Sequence, residues 1–179
     1  MKKIVLLMLA LSLSVTSLFA IDYETALEKK VFPYPKFYML TSPIIALGSE
    51  NIKYKNGGND SHLTLSLGFQ TMFMYDKIAG LGAEFALTKI GSDSSSMSAL
   101  TKFTKPLFYN TSLNLLGGYT WYDIDKEQAE GWTYGASLTY DLSLAMSAEI
   151  EYRTGSYDFD ESNNSFDSDR YTLNLIYRF

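Results

Sequence analysis

Apolar and polar residues alternate with a period of two along most of this chain, and this pattern limits the possible folds more than any other feature of the sequence. It is clearest in the last segment, where one row consists of Tyr171, Leu173, Leu175, Tyr177 and Phe179. The residues between them are mainly polar, and Trp132–Tyr140 repeats the pattern. Because successive side chains of a strand point to opposite faces, the pattern predicts β-strands with one apolar and one polar face.

Eight segments follow this rule, and each is near the 9–11 residues that a tilted strand needs to cross a bilayer. In chain order they are about Phe37–Gly48, Leu63–Gln70, Ala79–Thr88, Ser98–Thr104, Leu113–Tyr122, Trp132–Tyr140, Met146–Tyr157 and Tyr171–Phe179. Pro43 lies inside the first segment. Because proline has no N–H to give to a ladder, we expect a bulge or a shortened pairing near it.

The connections between the segments alternate in length. Longer ones follow segments one, three, five and seven, at Glu50–Ser61, Gly91–Met97, Asp123–Gly131 and Asp158–Asp169. Shorter ones lie near Tyr75–Lys77, Lys105–Thr111 and Asp141–Leu144. Long extracellular loops and short periplasmic turns are typical of bacterial membrane barrels. With an even number of strands, both chain ends are expected in the periplasm.

The N-terminus predicts export. Lys2 and Lys3 precede the apolar run Ile4–Leu13, and a plausible cleavage site follows Ala20. The run is too short for a spanning helix, so residues 1–20 are predicted to be a cleaved signal peptide. Residues 21–35 are then a periplasmic lead-in and residues 36–179 the barrel. The chain has no cysteine, which excludes disulfides and thiolate metal sites.

Charge and composition narrow the class of protein further. The signal peptide holds two of the 15 basic residues and none of the 20 acidic ones, so the exported chain has a net charge of −7. This charge argues against nucleic acid as a partner, because nucleic-acid binding needs a basic surface. Aromatic residues make up 15% of the chain, a high share for a soluble domain but typical of a membrane barrel.

The placement of charged residues favours a membrane barrel over a soluble one. The polar row is mostly Gly, Ser and Thr, and it also carries every charge within the strand cores: Glu84, Lys102, Glu149, Glu151, Arg153 and Arg178. Lys or Arg on the lipid face near the bilayer midplane costs about 2–4 kcal/mol. A membrane therefore explains why all six lie on the row that faces the lumen.

Aromatic residues near the ends of the segments predict girdles at the two membrane interfaces. One girdle contains Tyr119, Trp121, Trp132 and Tyr134, and the other contains Phe73, Phe108, Tyr140 and Phe179. We therefore predict an all-β fold, a closed antiparallel up-and-down transmembrane β-barrel of eight strands with four longer extracellular loops and short periplasmic turns.

The alternating C-terminal row that ends in Phe179 resembles the signal by which outer-membrane proteins are recognised for insertion. The exported chain as a whole resembles the small barrels that include the OmpA membrane domain, OmpX-type and opacity-type surface proteins. The resemblance implies an outer-membrane location. It also implies outer-membrane lipid, lipopolysaccharide and the barrel-assembly machinery as partners.

An eight-stranded barrel is just wide enough for its own side chains, so the six lumen charges are expected to meet. Centring the hairpins on their loops places Glu84 nearly opposite Lys102, and Glu149 opposite Arg178. Such pairs would interact directly. Two interpretations stay open: an ion-paired plug, or a narrow gated path lined by the same residues.

No constellation in the sequence indicates catalysis, a cofactor or a metal. His62 is the one histidine; although Asp60 and Ser61 precede it, sequence neighbours rarely form a catalytic triad, so His62 is predicted to be a rim residue. Asp158–Asn164 only partly resembles a calcium loop, because it lacks the central glycine and the final bidentate glutamate.

Three functions can be compared on this basis. The first is a non-enzymatic surface protein with a plugged lumen, which supports the envelope and displays its loops for adhesion or shielding against a host or surface ligand. The second is a narrow porin-like channel for ions or small solutes. The third, a lipid-modifying enzyme, is disfavoured by the missing catalytic residues.

Overall fold

The computed structural model describes residues 37–75, 78–108, 110–124, 126–160 and 164–178. They form eight strands: β1 Phe37–Tyr54, β2 Gly58–Tyr75, β3 Ala79–Ile90, β4 Ser94–Phe108, β5 Thr111–Ile124, β6 Glu127–Asp141, β7 Met146–Phe159 and β8 Ser165–Tyr177. Each strand pairs antiparallel with the next, and β1 pairs with β8 to close the barrel. The predicted closed eight-stranded antiparallel fold is confirmed. The predicted signal peptide and lead-in lie outside the described residues.

The strands are longer than the sequence predicted, at 12 to 18 residues. They run through most of the segments that had been assigned to long loops, so that residues 55–57 alone separate β1 from β2. This end, which also carries the connections 91–93, 125–126 and 160–164, is called the upper end. The lower end carries the connections 76–78, 109–110 and 142–145, and the strand bounds show no contrast in length between the two sets. No helix in the described part of the chain is long and apolar enough to cross a membrane.

The polarity of the two faces reverses along the strands. In the lower and middle barrel the exterior row is apolar and exposed, as at Leu47, Ile150 and Leu173. Near the upper end the exterior row becomes polar, and apolar side chains turn into the lumen. These inward residues form one cluster, the upper cap: Ile52, Ile90, Tyr122, Ile124, Ala129, Tyr157 and Phe166. The segments mistaken for loops are therefore strands with a polar exterior.

Aromatic rings hold the upper cap together. Phe166, which is fully buried, stacks on Tyr157 with ring centroids 5.1 Å apart and meets Tyr122 edge-on at 5.3 Å. Tyr122 and Tyr157 are 4.6 Å apart. Such pairs contribute about 0.5–1.5 kcal/mol each beyond the burial of their area. The upper lumen is thus closed by a small hydrophobic core.

Pro43 lies where the seam between β1 and β8 ends. β1 pairs with β2 from Phe37 onwards, but its pairing with β8 begins only at Ile44, opposite Ile176. Of the two accommodations expected for this proline, the structure shows the shortened pairing. A residue without an N–H is tolerated where a ladder stops.

The aromatic residues predicted for the upper girdle lie together on the exterior. The Tyr119 ring is 5.1 Å from that of Trp121 and 5.5 Å from that of Trp132, and Tyr134 is exposed beside them. On the lower side, Phe73 and Tyr140 also face outwards. The Phe108 side chain and Phe179 lie outside the described residues. The rest of the proposed insertion signal is exposed on the exterior of β8: Tyr171, Leu173, Leu175 and Tyr177.

Candidate functional site

Among the residues that the structure describes, the lumen contains seven buried charged side chains, which we take as the candidate functional site. They are Glu50, Glu84, Lys102, Glu149, Glu151, Arg153 and Arg170. Five of these were predicted from the sequence, because the alternation of side chains along their strands places them on the row that faces the lumen. They divide into two groups at different heights in the barrel.

The belt cluster, in the middle of the barrel, comprises Glu84, Lys102, Glu149, Glu151 and Arg153. Lys102 Nζ donates to both oxygens of Glu149, at 2.8 and 3.0 Å, and to Gln70 Oε1 at 3.0 Å. Glu149 also accepts hydrogen bonds from three uncharged side chains, those of Asn114, Thr139 and Asn174. The Glu149 carboxylate is therefore surrounded by donors.

Arg153 joins the other two carboxyl groups of the belt cluster. Its Nη2 donates to Glu84 Oε1 and, at 3.0 Å, to Glu151 Oε2, while its Nε contacts Glu151 Oε1. Lys102 Nζ lies 3.5 Å from Glu84 Oε2. Oxygens of Glu84, Glu149 and Glu151 lie within 4.8 Å of one another. Two cations thus hold three carboxyl groups in one compact cluster.

The upper cluster lies between the belt cluster and the upper cap, and it is built on Glu50 and Arg170. The two nitrogens Arg170 Nη2 and Nε donate to Glu50 Oε2 at 2.9 and 3.2 Å. Tyr122 Oη donates to Glu50 Oε1 at 2.6 Å, and Ser168 Oγ donates to the same oxygen. Arg170 further donates to Ser96 Oγ at 2.8 Å. Here one acid is matched by one base, and Tyr122 connects the pair to the apolar cap.

Two small cavities lie beside these clusters. Each measures about 10 Å³, and both are lined in part by Arg153 and Arg170. A cavity of this size holds about one water molecule. The space around the two arginines therefore has room for single waters rather than for a file of hydrated ions.

Comparison with known proteins gives a match at the level of the fold. No protein-family model matches the chain, and no curated protein matches it either. Among solved structures it is similar to Ail, the attachment invasion locus protein of Yersinia pestis, with a TM-score of 0.57 and 16% identity over 79% of this chain and 98% of that one. It is also similar to Neisserial surface protein A, with a TM-score of 0.55 and 10% identity over 81% and 98%. Another structure of Ail, in complex with the heparin analogue sucrose octasulfate, has a TM-score of 0.53 and 16% identity over 78% and 99%.

This chain has the fold of the small eight-stranded outer-membrane barrels. The apolar exterior of the middle barrel is consistent with that class. The identities with these structures are too low to show more than the fold.

Arg178 does not join the lumen charges of the barrel, contrary to the prediction. It follows β8, and its Nη2 donates to Asp141 Oδ1 at 2.6 Å at the lower end. The register places Glu149 opposite Asn174, and Glu84 opposite Leu100 rather than Lys102. The estimate failed because it centred the last hairpin on residues 158–169, whereas β8 already begins at Ser165.

Glu50 and Arg170 are the lumen charges that the sequence reading missed. Both stood at the margins of segments assigned to long loops. A signal was present, since Glu50 continues the inward row of Ile44 and Ala46, and Arg170 continues that of Thr172. Both residues would have been found by following the alternation along each strand past the point where its exterior row stops being apolar.

The residues around His62 do not form a catalytic constellation. His62 lies near the upper end of β2, partly exposed and beside Gly91. Ser61, its neighbour in the same strand, lies on the opposite row from His62 and Asp60 because strand side chains alternate. The Ser, His and Asp side chains therefore cannot converge as a triad needs.

Proposed function

We propose that this protein is a non-enzymatic outer-membrane barrel with a closed lumen, which supports the envelope and displays its upper end at the cell surface. The observation that carries the proposal is the double closure of the lumen. Buried ion pairs fill the belt, and an apolar core of aromatic rings fills the upper end. An ion would have to break both to pass.

The closed lumen is tested by conductance. The mature chain is refolded, its folding is established by a heat-modifiable gel shift, and single-channel currents are recorded in a planar bilayer. We expect silence across a wide range of voltages, because the cavities beside the clusters hold about one water each. Reproducible, salt-dependent current steps would contradict the proposal.

The second candidate is a narrow channel, favoured by the row of charges and small cavities inside the barrel. In that case Glu84, Lys102 and Glu151 would line the path. Selectivity rings of charged side chains are known in ion channels. The same conductance measurement separates the two candidates, and Glu84→Gln would then alter ion selectivity.

We further propose that the upper end faces the outside, as the topology of bacterial barrels predicts. Its exterior carries Glu130, Asp158 and Asp167 on three successive strands, and the opposed pair Glu130 and Asp158 has like charge. Such a surface fits a basic partner rather than a polyanion of the kind bound to Ail in one of its structures. The name of Ail records attachment. We therefore propose that the upper end of this barrel attaches to a cationic ligand.

The display surface is tested by binding to the barrel in neutral lipid vesicles. We expect salt-sensitive binding of polylysine and none of heparin. The double variant Asp158→Asn with Asp167→Asn should weaken polylysine binding. Lys53→Met should strengthen it, because Lys53 pairs with Asp169 and lies opposite Asp167, so its removal makes the same surface more acidic. Equal binding by wild type and double variant would exclude this surface.

A further inference from the structure

The belt cluster contains one more acid than base. Among the described residues, Glu84, Glu149 and Glu151 form ion pairs with two cations, Lys102 and Arg153, whereas Glu50 and Arg170 in the upper cluster are matched one to one. All three carboxyl groups are buried, and their oxygens lie within 4.8 Å of one another. Buried carboxyl groups that lie close together disfavour each other's ionisation, and a carboxyl group without a cation of its own tends to keep its proton.

The hydrogen bonds favour Glu149 as the ionised group. Glu149 accepts bonds from four side chains, including both contacts with Lys102. Each of these bonds stabilises a carboxylate. Glu84 and Glu151 instead share Arg153. Their further contacts are longer, since Thr172 and Asn174 donate to Glu151 at 3.4 and 3.5 Å and Lys102 Nζ lies 3.5 Å from Glu84. The surplus charge therefore belongs to the pair Glu84 and Glu151.

Two buried oxygens indicate where a proton is missing. Among the described residues, Glu84 Oε2 has no hydrogen-bond partner, and neither has Asn174 Oδ1. Asn174 is 98% buried, and its Nδ2 points into the cluster, donating to Glu149 Oε1 at 2.9 Å. Glu84 and Asn174 line the same cavity of about 10 Å³, which has room for one water. Lys102 Nζ lies 3.5 Å from Glu84 Oε2 without forming a hydrogen bond to it, so an acidic proton on the carboxyl group would give both unpartnered oxygens a hydrogen bond.

We propose that the folded barrel binds one proton between Glu84 and Glu151 at neutral pH, with Asn174 Oδ1 as its acceptor, directly or through one water. The charged or titratable groups around this pair are Lys102 of β4, Glu149 and Arg153 of β7, Arg170 of β8, Glu50 of β1 and Tyr122 of β5. At this height, within the described strands, β2 and β6 present the uncharged Gln70 and Ser137. With the proton bound, the seven lumen charges are neutral overall.

The proton makes folding depend on pH in a defined direction. In the unfolded chain a glutamate loses its proton near pH 4.3, so near neutral pH the unfolded chain lacks the proton that the folded barrel holds. Stability is then greatest at low pH and falls as the pH rises. For one proton, the folding equilibrium constant falls about tenfold per pH unit.

The experiment compares wild type with Glu84→Gln. Glutamine is neutral like the protonated acid, and its amide supplies a donor for Asn174, so two acids then face two cations. Urea unfolding of the full mature chain in lipid vesicles is followed from about pH 6 to pH 9. The ratio of the folding constants, variant over wild type, should rise about tenfold per pH unit. Glu50→Gln, the same substitution in the matched upper cluster, should lower stability but keep the wild-type slope.

Infrared spectroscopy tests the proton on the wild type alone and does not depend on how the variants fold. A carboxylic-acid C=O band should be present in the folded barrel at pH 8 and disappear on unfolding. Its absence from the folded protein would overturn the proposal, as would equal slopes for wild type and Glu84→Gln. A stability that follows added Ca²⁺ or chelator instead of pH would assign the space to a metal ion and equally overturn it.

Discussion

The middle and the upper end of this barrel are built from the same strands with opposite polarity. On β8 the exterior row changes from Asp167 and Asp169 to Leu173 and Leu175, while the inward row changes from Phe166 to Asn174. The side-chain alternation itself is unbroken across this change. Such a change of polarity is what a barrel needs where its exterior passes from lipid into water.

The comparison shows two ways of closing the same narrow lumen. The belt is closed by charges whose burial is tolerated only because they are paired, whereas the upper cap is closed by apolar rings that gain from burial alone. Tyr122 connects the cap to the upper cluster above the belt, since its ring packs in the cap and its hydroxyl donates to Glu50. Substitutions in the two regions should therefore fail for different reasons.

The largest effect is expected in the belt, from Arg153→Met. It removes the cation shared by Glu84 and Glu151 and leaves two buried carboxyl groups without their main partner. Breaking a buried ion pair costs about 3–5 kcal/mol, to be measured as the loss of unfolding free energy in urea at neutral pH. Much of the loss should be recovered at low pH, where the carboxyl groups are neutral, and a pH-independent loss would contradict this account.

A similar loss, about 3–5 kcal/mol, is expected from Phe166→Ala, because Phe-to-Ala changes in a packed core leave a cavity. Phe166 is fully buried against Tyr122 and Tyr157. Unlike Arg153→Met, this variant should lose the same free energy at every pH from 5 to 8, since it exposes no charge. A pH-dependent loss would mean that removing Phe166 also weakens the ion pairs, so that the cap and the belt do not contribute independently to stability.

The exterior of β7 tests where the two regions meet. Ile150→Arg places a charge on the apolar exterior of the middle barrel, where it should lower the free energy of unfolding by about 2–4 kcal/mol. Ser156→Arg lies on the polar part of the same exterior row and should cost about 0–1 kcal/mol. Ser156 already donates to Asp167, which gives an arginine there an acidic neighbour. Equal costs, measured by urea unfolding in vesicles, would show that the lipid boundary lies elsewhere.

The sequence was sufficient for the strand number, the closure and five of the lumen charges. These follow from alternation, because Lys102 or Glu149 on the other row would face lipid. The sequence was not sufficient to predict the upper cap. Ile52 and Phe166 lie among polar residues, and such segments are assigned to loops when every strand is assumed to have an apolar exterior. The expected contact of Glu84 with Lys102 is present at 3.5 Å, but contacts across the lumen were out of reach. Arg153 contacts Glu84 from a strand far away in sequence, and no hairpin register contains that contact.

The smallest loss of unfolding free energy is expected from Arg178→Met. This variant is directly comparable with Arg153→Met because both replace an arginine by methionine. Arg178 pairs with Asp141 at the lower end, where both side chains are partly exposed, at 23% and 36%. Exposed pairs contribute about 0–1 kcal/mol, since water solvates the partner that is left behind. Urea unfolding should therefore separate the two arginine variants by several-fold in free energy. If Arg178→Met were as damaging as Arg153→Met, the lower end would be as well shielded from water as the belt, and the lumen would be closed at three levels instead of two.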